Sequence, residues 1–240
     1  MHGFSTRAGG VSAAPFDTLD FALDRDPSAL KENVGRWAEA CGFDPKELYQ
    51  ARQVHGAHVL EAAGDARAMW KLEADALVAP AGSNAAVGVR VADCVPVLIG
   101  DAKTGGAVAI HAGWRGIVAG VIVAAGFRLV GSASHASQCV AAIGPCIGPC
   151  CFEVGADVAV QIAAVSNTSV IARREGDKAF VDLRAAVRHQ LRALGIDDSA
   201  VDDVPSAGSD GCTRCNAREF YSFRRDGNAS GRLLAVITAK

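Results

Sequence analysis

No run of apolar residues in this 240-residue chain approaches the roughly 20 that a membrane-spanning helix needs, so no membrane partner is expected. An excess of positive charge is missing as well: 24 lysines and arginines face 26 aspartates and glutamates, a formal net charge of −2. Binding along a nucleic-acid backbone calls for a basic stripe, which this balance does not supply. The amino terminus, Met1-His2-Gly3-Phe4-Ser5, has neither the basic nor the apolar stretch of a secretory signal, and the cytoplasm is the expected compartment. Repeats and low-complexity tracts are lacking too. The polar stretch from Ser132 to Gln138 is too short to act as a linker between domains, so one domain over 1–240 is expected.

With 50% hydrophobic and 21% charged residues, the chain has ample material for a core. Asp26-Pro27 opens a helix in which Leu30, Val34, Trp37 and Cys41 recur at helical spacing, and Gly42 stops it. Cys41 reads as a small buried hydrophobe on that stripe. After Asp182, Leu183, Val187, Leu191 and Leu194 form one face of a second helix that Gly195 ends. Arg184, Arg188 and Arg192 form another face, read as solvated. The run from Ile117 to Leu129 is long enough for a third helix. Short apolar runs read as strands: Val54 to Leu60, Ala76 to Val78, Ala85 to Val91, Val95 to Ile99, Ala107 to Ile110, Val140 to Ile143 and Leu233 to Thr238. Strands outnumber helices and short turns join several of them, which argues against a simple doubly wound sheet. The expected fold class is α/β, a single domain with mixed β-sheets flanked by helices.

One segment carries more chemistry than a connection needs. His111-Ala112-Gly113-Trp114-Arg115-Gly116 stands between a strand and a helix, and its glycines allow close ligand approach. A helix start offers free N–H groups to an anion beside Arg115. Two further segments set ligands or nucleophiles next to turns: Gln53-Val54-His55-Gly56 and Ala92-Asp93-Cys94-Val95-Pro96. His55, Cys94 and His111 make three ligands of the kind zinc takes in catalytic sites, with a fourth position left open. Such an ion activates water or polarises a substrate oxygen.

These segments sit in a longer series that begins with Phe4-Ser5-Thr6-Arg7-Ala8-Gly9-Gly10-Val11-Ser12 and includes Ala74-Asp75-Ala76-Leu77-Val78. It continues through Ile143-Gly144-Pro145-Cys146-Ile147-Gly148 and Phe152-Glu153-Val154-Gly155 to Cys212-Thr213 and Phe220-Tyr221-Ser222-Phe223-Arg224-Arg225-Asp226-Gly227. On these motifs the chain resembles, over nearly its whole length, the family once called multicopper polyphenol oxidases or laccase-domain proteins, more recently described as purine nucleoside phosphorylases. The resemblance implies a layered α/β/β/α sandwich with zinc held by His55, Cys94 and His111. It also implies phosphorolysis of adenosine, inosine, guanosine and S-methyl-5′-thioadenosine by inorganic phosphate, and hydrolytic deamination of adenosine. Phosphorolysis asks for a cationic cradle. Arg115, Arg7 in its glycine-rich turn, and Arg224 of the Arg224-Arg225 pair are the candidates, the last equally readable as a surface pair. Asp93 either orients a ligand and moves a proton or caps a turn. Glu153 faces the pocket on the resemblance alone. The chain departs from the family pattern at Leu19-Asp20, at Asn33-Val34 and in the short strand edge before Phe4.

Other chemistries use the same residues. Cys94 activated by His111 or His55 would make a cysteine hydrolase or amidase, for example one editing cell-wall peptide precursors. Copper fits less well than zinc, because none of the six histidines stands in a His-x-His pair. Eight cysteines without an export signal read as thiols or ligands. Cys146, Cys150 and Cys151 with Cys212-Thr213-Arg214-Cys215 have the pairing of a structural zinc site. The Gly144-Pro145-Cys146 motif needs no such site, however, and a single metal is the expectation. The oligomeric state is not encoded in any pattern of this kind.

Overall fold

Alternate residues along the central strands serve two different cores, and that alternation builds the molecule in layers. The computed structural model describes residues 1–131, 136–203 and 211–240; the polar stretch from Ser132 to Gln138 falls partly outside them. The first elements are β1 (His2–Phe4), α1 (Pro27–Cys41), β2 (Leu48–Tyr49), β3 (Val59–Glu61), α2 (Ala66–Met69), β4 (Ala76–Ala79) and β5 (Ala86–Val91). Next come β6 (Val95–Asp101), β7 (Ala107–Ala112), α3 (Trp114–Val118), α4 (Val121–Val130), β8 (Cys139–Ile143), β9 (Glu153–Gly155) and α5 (Ala156–Ala164). β10 (Ile171–Glu175), β11 (Lys178–Val181), α6 (Leu183–Leu194), β12 (Val201–Asp203), α7 (Phe223–Asp226) and β13 (Leu233–Thr238) complete the chain.

A mixed six-stranded sheet runs in the order β12-β8-β6-β7-β4-β3 and a mixed four-stranded sheet in the order β1-β13-β5-β2. A small antiparallel sheet, β10-β11-β9, stands apart. On β6 and β7, Val97, Ile99, Val108 and Ile110 meet Ile122 of α4 and Leu191 of α6. Their alternates Leu98 and Ala109 join Leu77 against Val87, Val89 and Ala235 of the four-stranded sheet. That sheet's outer residues, Ala86, Leu234 and Val236, are covered by Leu30, Val34, Trp37 and Cys41 of α1. The result is mixed α/β architecture in α/β/β/α layers. No helix among the described residues is long and apolar enough to cross a membrane.

Capping explains why two helices begin and end where the sequence predicts. Asp26 accepts the Ser28 N–H at the start of α1, and Asp182 accepts the Ala185 N–H at the start of α6. Gly42 and Gly195 close them in the left-handed conformation.

Three expectations are corrected, and the short edge before Phe4 is found paired. Of the run from Val54 to Leu60 only Val59 and Leu60 are strand, in β3, because the N–H groups of Val54, His55 and Gly56 go to a side-chain carboxylate instead of a ladder. The run from Ile117 to Leu129 is two helices, broken where Gly120 takes φ +82°. Despite its shortness, β1 pairs with β13. Arg184 is not solvated: it is 5% exposed, pairs with Asp203 and donates to the carbonyls of Ile143 and Gly144. Its face of α6 lies over the end of β8, where those carbonyls and the Asp203 carboxylate of β12 accept one cation. Arg188 and Arg192 lie nearer solvent and pair with Asp198.

Candidate metal centre

Strand register assembles the centre. β4 and β7 pair antiparallel with Ala76 opposite Ile110, so Asp75 and His111 are the next pair along, and the His111 N–H donates to the Asp75 carbonyl at 2.7 Å. β6 pairs with β7 through Val95 and Ala112, which brings Cys94 alongside Gly113. Side-chain alternation turns Asp75 and His111 to the same face. A Cβ at position 113 would stand 2.9 Å from the His55 ring and 3.1 Å from the Cys94 sulfur. The close approach of those two side chains therefore requires glycine there.

The ligand atoms of His55, Cys94 and His111 all lie within 4.8 Å of one another. The two imidazoles meet edge to face, with centroids 4.9 Å apart. His111 is buried, Cys94 half-buried and His55 exposed, so the centre opens to solvent on the His55 side.

Asp75 organises all of it, and sequence reasoning missed its role. Fully buried at the foot of β4, its carboxylate accepts the N–H groups of Val54, His55 and Gly56 at 3.2, 2.9 and 2.7 Å. These bonds hold His55 at φ +61°, a conformation uncommon outside glycine. The same carboxylate accepts the Nδ1–H of His111 at 2.8 Å, which leaves Nε2 to face Cys94. Burial works to raise the Asp75 carboxyl, but His111 and the Gly56 and His55 amides outweigh it and hold it below the usual range. Burial likewise opposes charge on Cys94 and His111. Their mutual attraction prevails, bringing the thiol down to about 6 and the imidazole up to about 9. A low-pKa thiolate, two imidazoles and a hydrogen-bonded carboxylate behind one of them suit a borderline-soft metal with an open coordination position.

Asp93 points elsewhere. At φ +92° its carboxylate accepts the Thr213 hydroxyl and the Arg224 N–H, both at 2.6 Å, so it clamps the turn before Cys94 to the C-terminal segment. Both partners lie 120 and 131 residues away and not in the turn of Asp93 itself. Arg7 spends its guanidinium on the carbonyls of Asp17, Ala217 and Pro15 and stacks on Tyr221. Arg225 is committed to the carbonyls of Thr213, Arg214 and Phe220. Arg115 lies exposed over the Trp114 ring, without an ion pair among the described residues. Arg224 is exposed, gives one N–H to the Glu153 carbonyl and keeps its other donors outward. Glu153 itself is exposed on β9. A surface hollow of about 400 Å³ beside Leu98, Gly100 and Val140 belongs to the opposite end of β6 from Cys94.

The model of the multi-copper polyphenol oxidoreductase laccase family matches residues 1–240. A Deinococcus radiodurans protein named purine nucleoside phosphorylase is 38% identical over 239 residues, covering 98% of this chain and 88% of its own. An Escherichia coli protein, purine nucleoside phosphorylase YfiH, is 33% identical over 236 residues, 97% of this chain and 91% of its own. Among solved structures, YlmD from Geobacillus stearothermophilus is similar with a TM-score of 0.87 at 29% identity, covering 100% of this chain and 92% of that one. Bacillus licheniformis YfiH gives a TM-score of 0.89 at 25% identity, with the same coverage.

Proposed function

Because the chain belongs to the multi-copper polyphenol oxidoreductase laccase family, we propose that it is a zinc-dependent purine nucleoside phosphorylase of the cytoplasm, working as one domain over residues 1–240. Its substrates are adenosine, inosine, guanosine and S-methyl-5′-thioadenosine with inorganic phosphate, and adenosine deamination is its second activity. The observation that carries this reading is the His55, Cys94 and His111 cluster braced by Asp75. The names of the relatives support the substrate class. Zinc is favoured over copper because no His-x-His pair is present and three protein ligands leave a position open.

When bound, the metal supplies a Lewis acid that polarises an oxygen or activates water. The residues around it do the rest. Asp75 keeps the His111 Nδ1–H in place, so that Nε2 offers its lone pair. Arg115 and Arg224, with donors turned to solvent, neutralise phosphate as its oxygen attacks C1′ and the glycosidic bond to the purine breaks. Ribose 1-phosphate and the free base result. Arg7 braces the loop beneath, and Asp93 holds the Cys94 turn against Arg224. Glu153, carried over on the family resemblance, exchanges protons when water replaces the adenosine amino group.

The low-pKa Cys94 thiolate beside His111 favours one second reading, a cysteine nucleophile acting on amides. Product analysis of the zinc-loaded protein on a nucleoside panel, with and without phosphate, tests the first. Ribose 1-phosphate should form only with phosphate, whereas inosine from adenosine should form either way. Activity untouched by excess EDTA but abolished in Cys94→Ser would overturn the metal reading and leave the nucleophile.

A further inference from the structure

We propose that Cys150, Cys151, Cys212 and Cys215 hold a second zinc ion, a closed structural site separate from the centre at His55, Cys94 and His111. Their four sulfurs lie within 4.8 Å of one another. Cys215 stands 3.3 Å from the Cys151 sulfur and 3.8 Å from that of Cys150. Thiolates at about 2.3 Å from zinc occupy tetrahedral corners about 3.8 Å apart, which these spacings match. All four are free thiols, and four soft donors at such corners select zinc among the common divalent ions.

Both halves of the site are shaped by backbone bonds. On one side the N–H groups of Cys151 and Phe152 fold back onto the Gly148 carbonyl at 2.9 Å each, a turn tight enough for adjacent cysteines to reach one point. On the other, the Asn216 N–H closes onto the Cys212 carbonyl at 2.9 Å, so Cys212 and Cys215 share one turn. The Cys212 sulfur receives the Gly148 N–H at 3.2 Å and the N–H groups of Arg214 and Cys215, bonds that orient a thiolate ligand. Arg214 reaches the Cys151 sulfur, and Arg225 grips the Thr213 and Arg214 carbonyls at 2.8 and 3.1 Å. These cations offset the charge of four thiolates around a dication. Cys146 stays out, its buried sulfur 3.4 Å from Arg184 Nη2.

Binding releases the thiol protons to solvent and forms four Zn–S bonds, with no change of oxidation state. Its consequence reaches the other centre through Thr213, which is fully buried and donates to Asp93, the residue before Cys94. The ion thereby braces from behind the turn that carries a ligand of the first site.

Native mass spectrometry of the full chain, purified with zinc under reducing conditions, tests the proposal without reference to activity. Wild type should carry two zinc ions, Cys215→Ser one, His55→Ala one and the double variant none. Cadmium-loaded wild type should show thiolate-to-metal charge-transfer absorbance that falls by more than half in Cys150→Ser, a readout that survives poor expression of either variant. One zinc in wild type that disappears in His55→Ala, a Cys151–Cys215 disulfide, or bound iron in place of zinc would each overturn the assignment.

Discussion

The two cysteine-bearing clusters differ in what surrounds their ligands. At His55, Cys94 and His111 there are three donors, a buried carboxylate behind one of them and solvent in front. At Cys150, Cys151, Cys212 and Cys215 there are four sulfurs, backbone N–H groups and arginines that also tie the loops together. A centre that must admit substrate keeps a position empty and places its support on one side. One that only ties two segments together fills every position and is supported all round. The carboxylate marks the difference: Asp75 fixes a ring so that its other nitrogen is available, whereas amides around Cys212 simply hold charge.

The sharpest way to break this contrast is His111→Ala. It should reduce ribose 1-phosphate formation to background and remove the first zinc while the second remains bound. Stoichiometric zinc at both sites in that variant would refute the ligand set. Asp75→Asn should come next, because an amide presents N–H where His111 and three backbone amides already donate. Metal affinity or kcat/KM should fall by about 10- to 100-fold, with kcat affected and the second zinc untouched. Cys215→Ser should show the reverse pattern, a clear drop in melting temperature with phosphorolysis reduced only several-fold. Equal loss of activity in Cys215→Ser and Cys94→Ser would erase the distinction between the sites.

Smaller effects sharpen it. Arg184→Met removes the buried partner of Asp203, which keeps Arg188 at 2.9 Å, and takes a donor from the Ile143 and Gly144 carbonyls; it should lower unfolding free energy by about 1–3 kcal/mol in urea titration, with both metals retained. Arg115→Ala or Arg224→Ala should raise the KM for phosphate by roughly tenfold, about 1.4 kcal/mol, and leave zinc content and deamination unchanged. A matching rise in the KM for adenosine deamination would move those arginines from the phosphate to the nucleoside.

Much of the fold is legible in order along the chain. α1 and α6 are framed by Asp26, Gly42, Asp182 and Gly195, because caps and helical stripes act within a few residues. The strand Leu233–Thr238 coincides with its apolar run for the same reason. Of the candidate centre, His55, Cys94 and His111 stand out as costly residues beside turns. Asp75 carried a signal too, a carboxylate inside the apolar stretch Ala74-Asp75-Ala76-Leu77-Val78. Its partner was invisible, since the pairing of Asp75 with His111 follows from the β4–β7 register. Arg184 misled because helical spacing separates faces without saying which face meets a sheet end.

By itself the sequence determined the candidate ligands, the capped helices, the alternating strands and the family to which they belong, all properties of residue chemistry and short-range spacing. Tertiary structure alone decided that Asp75, and not Asp93, stands behind His55 and His111. It also brought Cys150 and Cys151 to Cys212 and Cys215 and sent Arg184 inward. Each of these outcomes depends on strand register and on which chain segments cross, and such long-range geometry is set by packing the whole core at once.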